Sequence, residues 1–296
     1  MRFDLLSLKL FVAVCEHKNI SRAAETENIA PSAISKRISL LEDTLRVPLF
    51  ARSNKGLELT PAAHALLQHA RIILRDLGQM ESELLDHSTG HRGQIRLHAS
   101  LSTVVQYLPN DIRDFLNLYP AIQIQLEEGL SQQVIRAVSE NAADIGIFGG
   151  SSVVPGLHVV PYRTDRLVVI MPDDHPLRDR PKLTFAEVAE HDLVGPQMGS
   201  YLNALVLRAA ADLSQPLKLR IRVNGFEPAR SMVEAKLGIA LVPEQHAARY
   251  VTMAPLVAVP LDEEWALRHW HIGVREGDAL PAPVQLLLRH LSSRRG

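Results

Sequence analysis

The sequence predicts an α/β protein overall, with a helix-rich head, a long connecting helix and a larger two-lobed α/β region. Three observations predict it. Apolar residues in the first sixty positions repeat at helical spacing between helix-start signals. Residues 61–88 form a single helical run. From residue 94 onward, strand-like and helix-like segments alternate. At 296 residues the chain is long enough for more than one compact unit. With 46% hydrophobic and 22% charged residues it has the composition of a globular protein. No apolar run reaches the ~20 residues a membrane helix needs. Asp4, Lys9, Glu16, His17 and Lys18 interrupt any leader-like core, so the expected location is the cytoplasm. The single cysteine, Cys15, excludes an internal disulfide and fits a reducing compartment. Among Phe11, Val12 and Val14 it reads as a buried structural thiol.

Leu5, Leu8, Phe11, Val12 and Val14 give a first helix over Asp4–Glu16. Asn19 or Ser21 can cap a second, and Ala23 and Ala24 are small enough for a close helix approach. Asn28-Ile29-Ala30 makes a turn, and Pro31 suits the first position of a third helix. Ala33, Ile34, Ile38, Leu41 and Leu45 form its buried stripe. Ser32, Ser35, Lys36 and Ser39 lie on the other side. Short hydroxyls and a cation at a helix start suit base edges and phosphates in a major groove, but equally suit a plain solvated face. Arg52-Ser53-Asn54-Lys55-Gly56 between two apolar stretches reads as a hairpin whose Arg52 and Lys55 reach toward a backbone or minor groove. Thr60-Pro61 is a helix start. The first sixty residues hold nine Lys and Arg against seven Asp and Glu, while the whole chain carries −1. DNA affinity must therefore come from placement of charge.

Phe11-Val12-Ala13-Val14, Ser21-Arg22-Ala23-Ala24, Ser32-Ala33-Ile34-Ser35-Lys36, Leu41-Glu42, Pro48-Leu49-Phe50, Arg52 and Leu59-Thr60-Pro61 resemble, in order and spacing, the winged helix-turn-helix of the LysR-type transcriptional regulators. The resemblance implies that Pro31, Ser32, Ser35, Lys36 and Arg37 belong to the DNA-reading helix. It places Ser21 and Arg22 near phosphates, with Arg52 and Lys55 in the wing. Ala30-Pro31 and Arg37 stand where the family often has Ser-Gln and Gln, so no operator sequence carries over.

In residues 61–88, Leu66, Ala70, Ile73, Leu77, Met80 and Leu84 alternate spacings of four and three, a heptad seam. A helix of roughly 40 Å offers more seam than a small head can cover, so a partner helix is the expected acceptor. The resemblance agrees, and implies a dimer, with a tetramer as the expected larger assembly.

Beyond the polar, glycine-containing segment 88–93, strand-like Gln94–Ala99, Ile122–Glu127 and Ala143–Phe148 alternate with helical Val104–Leu118 and Gln132–Glu140. This order argues for a mainly parallel sheet. Leu167–Met171, Leu219–Val223, Ile239–Val242 and Trp270–Val274 read as further strands. Helices follow at Phe185–Ala189, Tyr201–Ala211, Ala229–Ala235 and Val284–Leu291. Asp144-Ile145-Gly146-Ile147, Asp174-His175-Pro176-Leu177 and Gly238-Ile239-Ala240-Leu241-Val242-Pro243 resemble the LysR effector domain, which has the fold of periplasmic solute-binding proteins. The expected organisation is a winged helix-turn-helix domain over 1–60, a linker and dimerisation helix over 61–88, and an effector-binding domain over 89–296. Its first lobe takes in about 93–162 and 268–296, its second about 163–267.

Two such lobes imply a cleft, with ligand groups at strand ends beside helix starts. The candidates are Ser100, Ser102 and Thr103, Phe148 and Gly149, Gly199 and Ser200, and Phe226 and Glu227. Each Ser or Thr also reads as an ordinary helix cap, and Glu227 as a capping charge. The hydroxyls and free N–H groups suit an anion.

There is no Gly-x-Ser-x-Gly, no phosphate-binding glycine loop and no paired cysteine, so no enzyme reading gains support. His269 and His271 on one strand face, or His87 and His91, lack a third ligand, so neither a metal nor another cofactor is expected. The expectation is a transcription regulator that binds double-stranded promoter DNA and responds to a small-molecule effector, with RNA polymerase as a further candidate partner and no role for a membrane. The alternatives are a solute-binding protein or a cytosolic α/β enzyme with an N-terminal helical extension.

Overall fold

The computed structural model describes residues 4–53, 56–89, 93–213, 216–251, 254–277 and 280–294. Lys55, His91 and the side chains of Arg52, Leu84 and His87 lie outside the described residues. The chain divides into two compact units, one of Met1–Arg92 with Glu140–Ala142 and one of Gly93–Ser139 with Ala143–Gly296.

The first unit opens with α1 (Leu5–His17), α2 (Ile20–Glu27) and α3 (Pro31–Leu45). Asp4 Oδ1 caps α1 by accepting from Ser7 N at 2.8 Å, and Asn19, not Ser21, caps α2 through Arg22 N at 3.1 Å. Asn28, in the left-handed region at φ 54°, ends α2 and turns the chain toward Pro31. The apolar stripe of α3 (Ile34, Ile38, Leu41) closes on Phe11, Val14, Ala23 and Ala24, all buried. Each large side chain placed there contributes about 1.5–3 kcal/mol. Cys15 is part of this core, and burial pushes its thiol up to about 12, so it stays protonated.

The antiparallel hairpin β1 (Phe50–Ser53) and β2 (Gly56–Leu59) follows, and then α4 (Pro61–Thr89). Glu42 on α3 accepts from the backbone N–H groups of Leu49 and Phe50 at 2.7 and 3.2 Å, which sets the hairpin's entry. Thr60 donates to the Pro48 carbonyl at 2.8 Å and accepts from Ala63 N at 3.2 Å, which sets its exit. The heptad reading of α4 needs one correction: Leu67 and Ala70 are buried in the core of this unit with Leu66 packed beside them, so the first turns face the head. Farther along, Ile72, Ile73 and Met80 are exposed by 37%, 43% and 50%.

The second unit runs through β3 (Gly93–Ala99), α5 (Leu101–Gln106), α6 (Leu108–Leu118), β4 (Ile122–Glu128), α7 (Ser131–Ser139), β5 (Ile145–Gly149) and β6 (Leu157–Pro172). It continues with α8 (Phe185–Ala189), β7 (Leu193–Gly195), α9 (Tyr201–Ala211), β8 (Leu219–Arg222), α10 (Phe226–Glu234) and β9 (Ala240–Pro243). It ends with α11 (Glu244–Ala247), β10 (Leu256–Pro260), β11 (Leu267–Arg275) and α12 (Ala282–Ser293). The sheet is mixed rather than mainly parallel. β4, β3 and β5 are parallel, but β11 runs antiparallel to β5 and to the first ten residues of β6. The rest of β6 pairs antiparallel with β9 and β10. The 16-residue β6 therefore serves both lobes, and β11 returns the chain from the second lobe to the first. One core gathers Ile95, Phe115, Ile147, Trp270 and Leu287; others gather Leu167, Val169, Phe185 and Leu241, and Val168, Val233 and Val242.

Candidate nucleic-acid surface and ligand cleft

On the head, Ser21, Arg22, Pro31, Ser32, Ser35 and Lys36 are all exposed. The side chains of Arg22, Ser32, Ser35 and Lys36 make no hydrogen bond among the described residues. The helix-turn-helix geometry puts Ser32, Ser35 and Lys36 on the face of α3 opposite Ile34 and Ile38. Ala30 supplies no side-chain cap to α3, and Pro31 has no N–H to satisfy. Arg37 differs from its neighbours: its Nη1 donates to Asp4 Oδ1 and to Ser7 Oγ, each at 3.1 Å. The Asp4 carboxyl is held below its usual range, first by its hydrogen bonds from Ser7 and then by Arg37. Arg37 thus ties α3 to α1 through one guanidinium nitrogen.

In the second unit, a cavity of about 270 Å³ opens between the lobes. Of the sequence candidates, Ser100, Ser102, Ser200 and Phe226 line it. Thr103, Phe148, Gly149, Gly199 and Glu227 do not. Thr103 is fully buried and donates back to the Ser100 carbonyl at 2.8 Å. Phe148 points the other way, into contact with His271 at 6.3 Å between ring centroids. Gly149 works from behind the wall: a Cβ there would overlap the Tyr201 and Trp270 rings, so glycine is what lets Tyr201 seat against Trp270. Gly199 supplies a left-handed turn at φ 78° ahead of Ser200, which caps α9 through Asn203 N at 3.1 Å. Glu227 turns to Arg230 at 2.9 Å.

The floor of the cavity was not read from the sequence. Arg268 on β11 is 1% exposed and lies opposite Asp165 on β6. Its Nε reaches Asp165 Oδ1 and its Nη2 reaches Oδ2, both at 2.6 Å, a bidentate buried pair. Trp270 Nε1 and Gln106 Nε2 donate to the same Oδ2 at 3.0 and 3.2 Å. Asp165 thus neutralises Arg268 and aims it, while Nη1 donates to Ser102 Oγ, 3.4 Å away, its one partner among the described residues; Arg268 and Ser102 both line the cavity. Ser131, also missed, accepts from Gly149 N at 3.1 Å and lies 3.2 Å from Ser100 Oγ. Like Ser100, it follows a strand end and starts a helix, a signal passed over because the strand was ended at Glu127. Tyr201 stands edge-on to Trp270, 5.7 Å between centroids, and burial raises its phenol, so it remains a donor. The cavity combines aromatic walls with converging hydroxyls, amides and one guanidinium nitrogen, which suits a small polar molecule.

The two strand histidines do not share an environment. His271 is buried against Phe148, while His269, nearer the start of β11, is exposed. Among the described residues no group of three or more His, Cys, Asp or Glu side chains could hold a metal, and no helix is long and apolar enough to cross a membrane.

Comparison with known proteins agrees across both units. Residues 5–64 match the family model of the bacterial regulatory helix-turn-helix proteins of the lysR family, and residues 88–295 that of the LysR substrate binding domain. The RuBisCO operon transcriptional regulator of Allochromatium vinosum is 26% identical, over 95% of this chain and 92% of that protein. The uncharacterised HTH-type transcriptional regulator YbhD of Escherichia coli K12 is 28% identical, over 96% of this chain and 89% of that protein. Full-length CbnR solved with its target DNA is 19% identical and superposes with a TM-score of 0.69, over 98% of this chain and 99% of that one. The effector-binding domain of QuiR solved with shikimate is 16% identical with a TM-score of 0.61, over 69% of this chain and 97% of that one. The chain belongs to the LysR family: it is a DNA-binding transcriptional regulator with an effector-binding domain.

Proposed function

We propose that this regulator binds promoter DNA as a dimer or a larger assembly through Ser32, Ser35 and Lys36, and that a small molecule in the interlobe cleft sets how it does so. The observation that carries the second part is Arg268: a cation buried at the cavity floor, held by a bidentate carboxylate, whose remaining nitrogen makes a long 3.4 Å bond to Ser102 Oγ. An anionic group on the effector fits Arg268 Nη1 together with the hydroxyls of Ser102 and Ser200. A ligand that favours one spacing of the lobes shifts the population of regulator arrangements and so its grip on DNA. The exposed Ile72, Ile73 and Met80 on α4 support a helix-to-helix contact between copies. RNA polymerase is the further partner through which occupancy would change transcription, and the cytoplasm is where these events take place.

The test is a footprint on the DNA upstream of the regulator's own gene, with and without a panel of small carboxylates. The expected result is a protected region whose extent changes with one of them. No protection under any condition would remove the DNA reading; protection that no compound alters, in wild type and in Arg268→Met alike, would remove the effector reading. Ile73→Glu is expected to lower the oligomeric state in sedimentation velocity without unfolding the head.

A further inference from the structure

The charges lining the interlobe cleft do not balance. Two charged side chains line it, Arg268 at its floor and Glu128 at the end of β4. Arg268 is 1% exposed and already matched: Asp165 bonds its Nε and Nη2, so the pair as a whole is neutral. Glu128 has no such match. It is exposed, its carboxylate makes no hydrogen bond or ion pair among the described residues, and no lysine or histidine lines the cavity. The preceding residue, Glu127, is engaged instead by His98 Nε2 at 3.2 Å and by Gln125 at 3.4 Å. The cleft therefore carries one uncompensated negative charge, on its exposed side. A simple monoanion meets that repulsion together with an arginine whose charge is already balanced. The remaining wall includes the apolar side chains of Leu101, Leu130, Leu202 and Phe226.

We propose that the effector is a zwitterion: a small carboxylate whose far end carries an ammonium group, recognised by Glu128. This rests on the effector reading of the cleft and narrows it to one chemical class. The carboxylate meets Arg268 Nη1 and Ser102 Oγ at the floor, where charge-assisted hydrogen bonds are strongest. The ammonium meets Glu128 and cancels the charge that would repel a plain acid. Arg268 is buried and Glu128 exposed, so one molecule reaches both when a run of carbons separates its two charges. That favours an ω-amino carboxylate over an acid with its amine beside the carboxyl. The apolar side chains of the wall take the methylenes between. Glu128 then discriminates against plain acids of the same length, by repulsion as much as by attraction.

Trp265 and Trp270 are the two tryptophans of the chain, so Trp265→Phe in the full-length protein leaves Trp270, in the cleft wall, as the sole reporter. The probes are 5-aminopentanoate, hexanoate, which replaces its ammonium with a methyl group, and hexanedioate, which replaces it with a second carboxylate. The expected result is a saturable change in Trp270 emission with 5-aminopentanoate, at an affinity about fivefold above that for hexanoate and higher still against hexanedioate. Glu128→Gln, at an exposed strand end, should bring 5-aminopentanoate and hexanoate to the same affinity. Glu128→Lys should reverse the order and favour hexanedioate. Hexanoate binding wild type as tightly as 5-aminopentanoate would overturn the proposal and leave a plain carboxylate effector standing. A preference for the amine that survives both Glu128 substitutions would overturn it too. No saturable change with any probe would also overturn it, while the effector reading itself stands or falls on the footprint.

Discussion

The two units treat polar side chains in opposite ways. On the head, Ser32, Ser35 and Lys36 stand in water on the far side of a helix whose other face is fully apolar. In the effector unit, Arg268 and Asp165 are almost completely buried, and each supplies hydrogen bonds the other needs. A surface that must meet a large charged polymer keeps its groups solvated and uncommitted. A cavity that must recognise a small molecule has to orient its groups in advance, and orientation in a dry site requires partners. The head's functional residues are therefore dispensable for folding, whereas those of the cleft are part of the fold.

That contrast can be broken most forcefully at Asp165. Asp165→Ala strands Arg268 as an unpaired buried charge and is expected to cost about 3–5 kcal/mol in urea unfolding. Asp165→Leu combined with Arg268→Met should recover most of that stability while losing effector response. A single variant as stable as wild type would show that the pair does not hold the floor.

Glu42→Ala, on the head, tests whether any polar group there is structural. It leaves the Leu49 and Phe50 N–H groups without their charged acceptor, and about 1.5–3 kcal/mol is expected. The hairpin should show faster amide exchange at those two positions.

His246 gives a smaller, pH-limited effect. It is 4% exposed between Phe226 and Tyr250, neither ring nitrogen has a hydrogen-bond partner among the described residues, and burial lowers its affinity for a proton below the usual 6.5. Below pH 6.5 the unfolded chain takes up a proton that the folded site resists, so stability falls as pH falls from there through the lowered native value. His246→Phe should flatten that acid limb of the melting temperature, leaving whatever slope His175 and His271, lowered chiefly by burial as well, still impose. An unchanged acid limb would show that His246 titrates normally.

The smallest stability effect belongs to Lys36→Ala, within roughly 0.5 kcal/mol of wild type. Its DNA affinity should nevertheless fall, and the slope of log affinity against log salt should drop by about one. An unchanged slope in a gel-shift titration would remove Lys36 from the phosphate contacts.

The same contrast explains what could be read in advance. The head is built from local signals. Pro31 at a helix start, the stripe of Ile34, Ile38 and Leu41, and the Thr60-Pro61 cap are each defined within a few residues, and the structure realises them where they stand. The cleft floor depends on two residues 103 positions apart. Arg163-Thr164-Asp165-Arg166 reads as a polar break, so β6 was recognised only from Leu167 onward. A signal was nevertheless present. Arg268 shares a period-two face with Trp270, Ile272 and Val274, and Asp165 shares one with Leu167, Val169 and Met171. Opposite charges on the apolar faces of two strands call for each other, but only the pairing of β6 with β11 shows that they meet. The parallel sheet expected from βαβ order failed at the same place, because the strand that returns from the second lobe enters antiparallel.

The discontinuity of the first lobe bears on how the chain is made. When β6 has emerged from the ribosome, Asp165 has no counter-ion, and β5 and the first half of β6 lack the strand that joins them in the finished sheet. Both wait for β11, which follows the whole second lobe. At ~5–20 residues per second the interval is on the order of 5–20 s. During that time the second lobe can assemble around Leu167, Val169 and Leu241, while the first remains an unclosed sheet with an unmatched acid inside. Closure then falls to a short C-terminal stretch, β11 and α12, which bring Arg268, Trp270, Leu287 and Leu291. Damage to that stretch should lead the protein to aggregation during synthesis rather than to a regulator with altered response, since what it removes is the last piece of a core that began to form more than a hundred residues earlier.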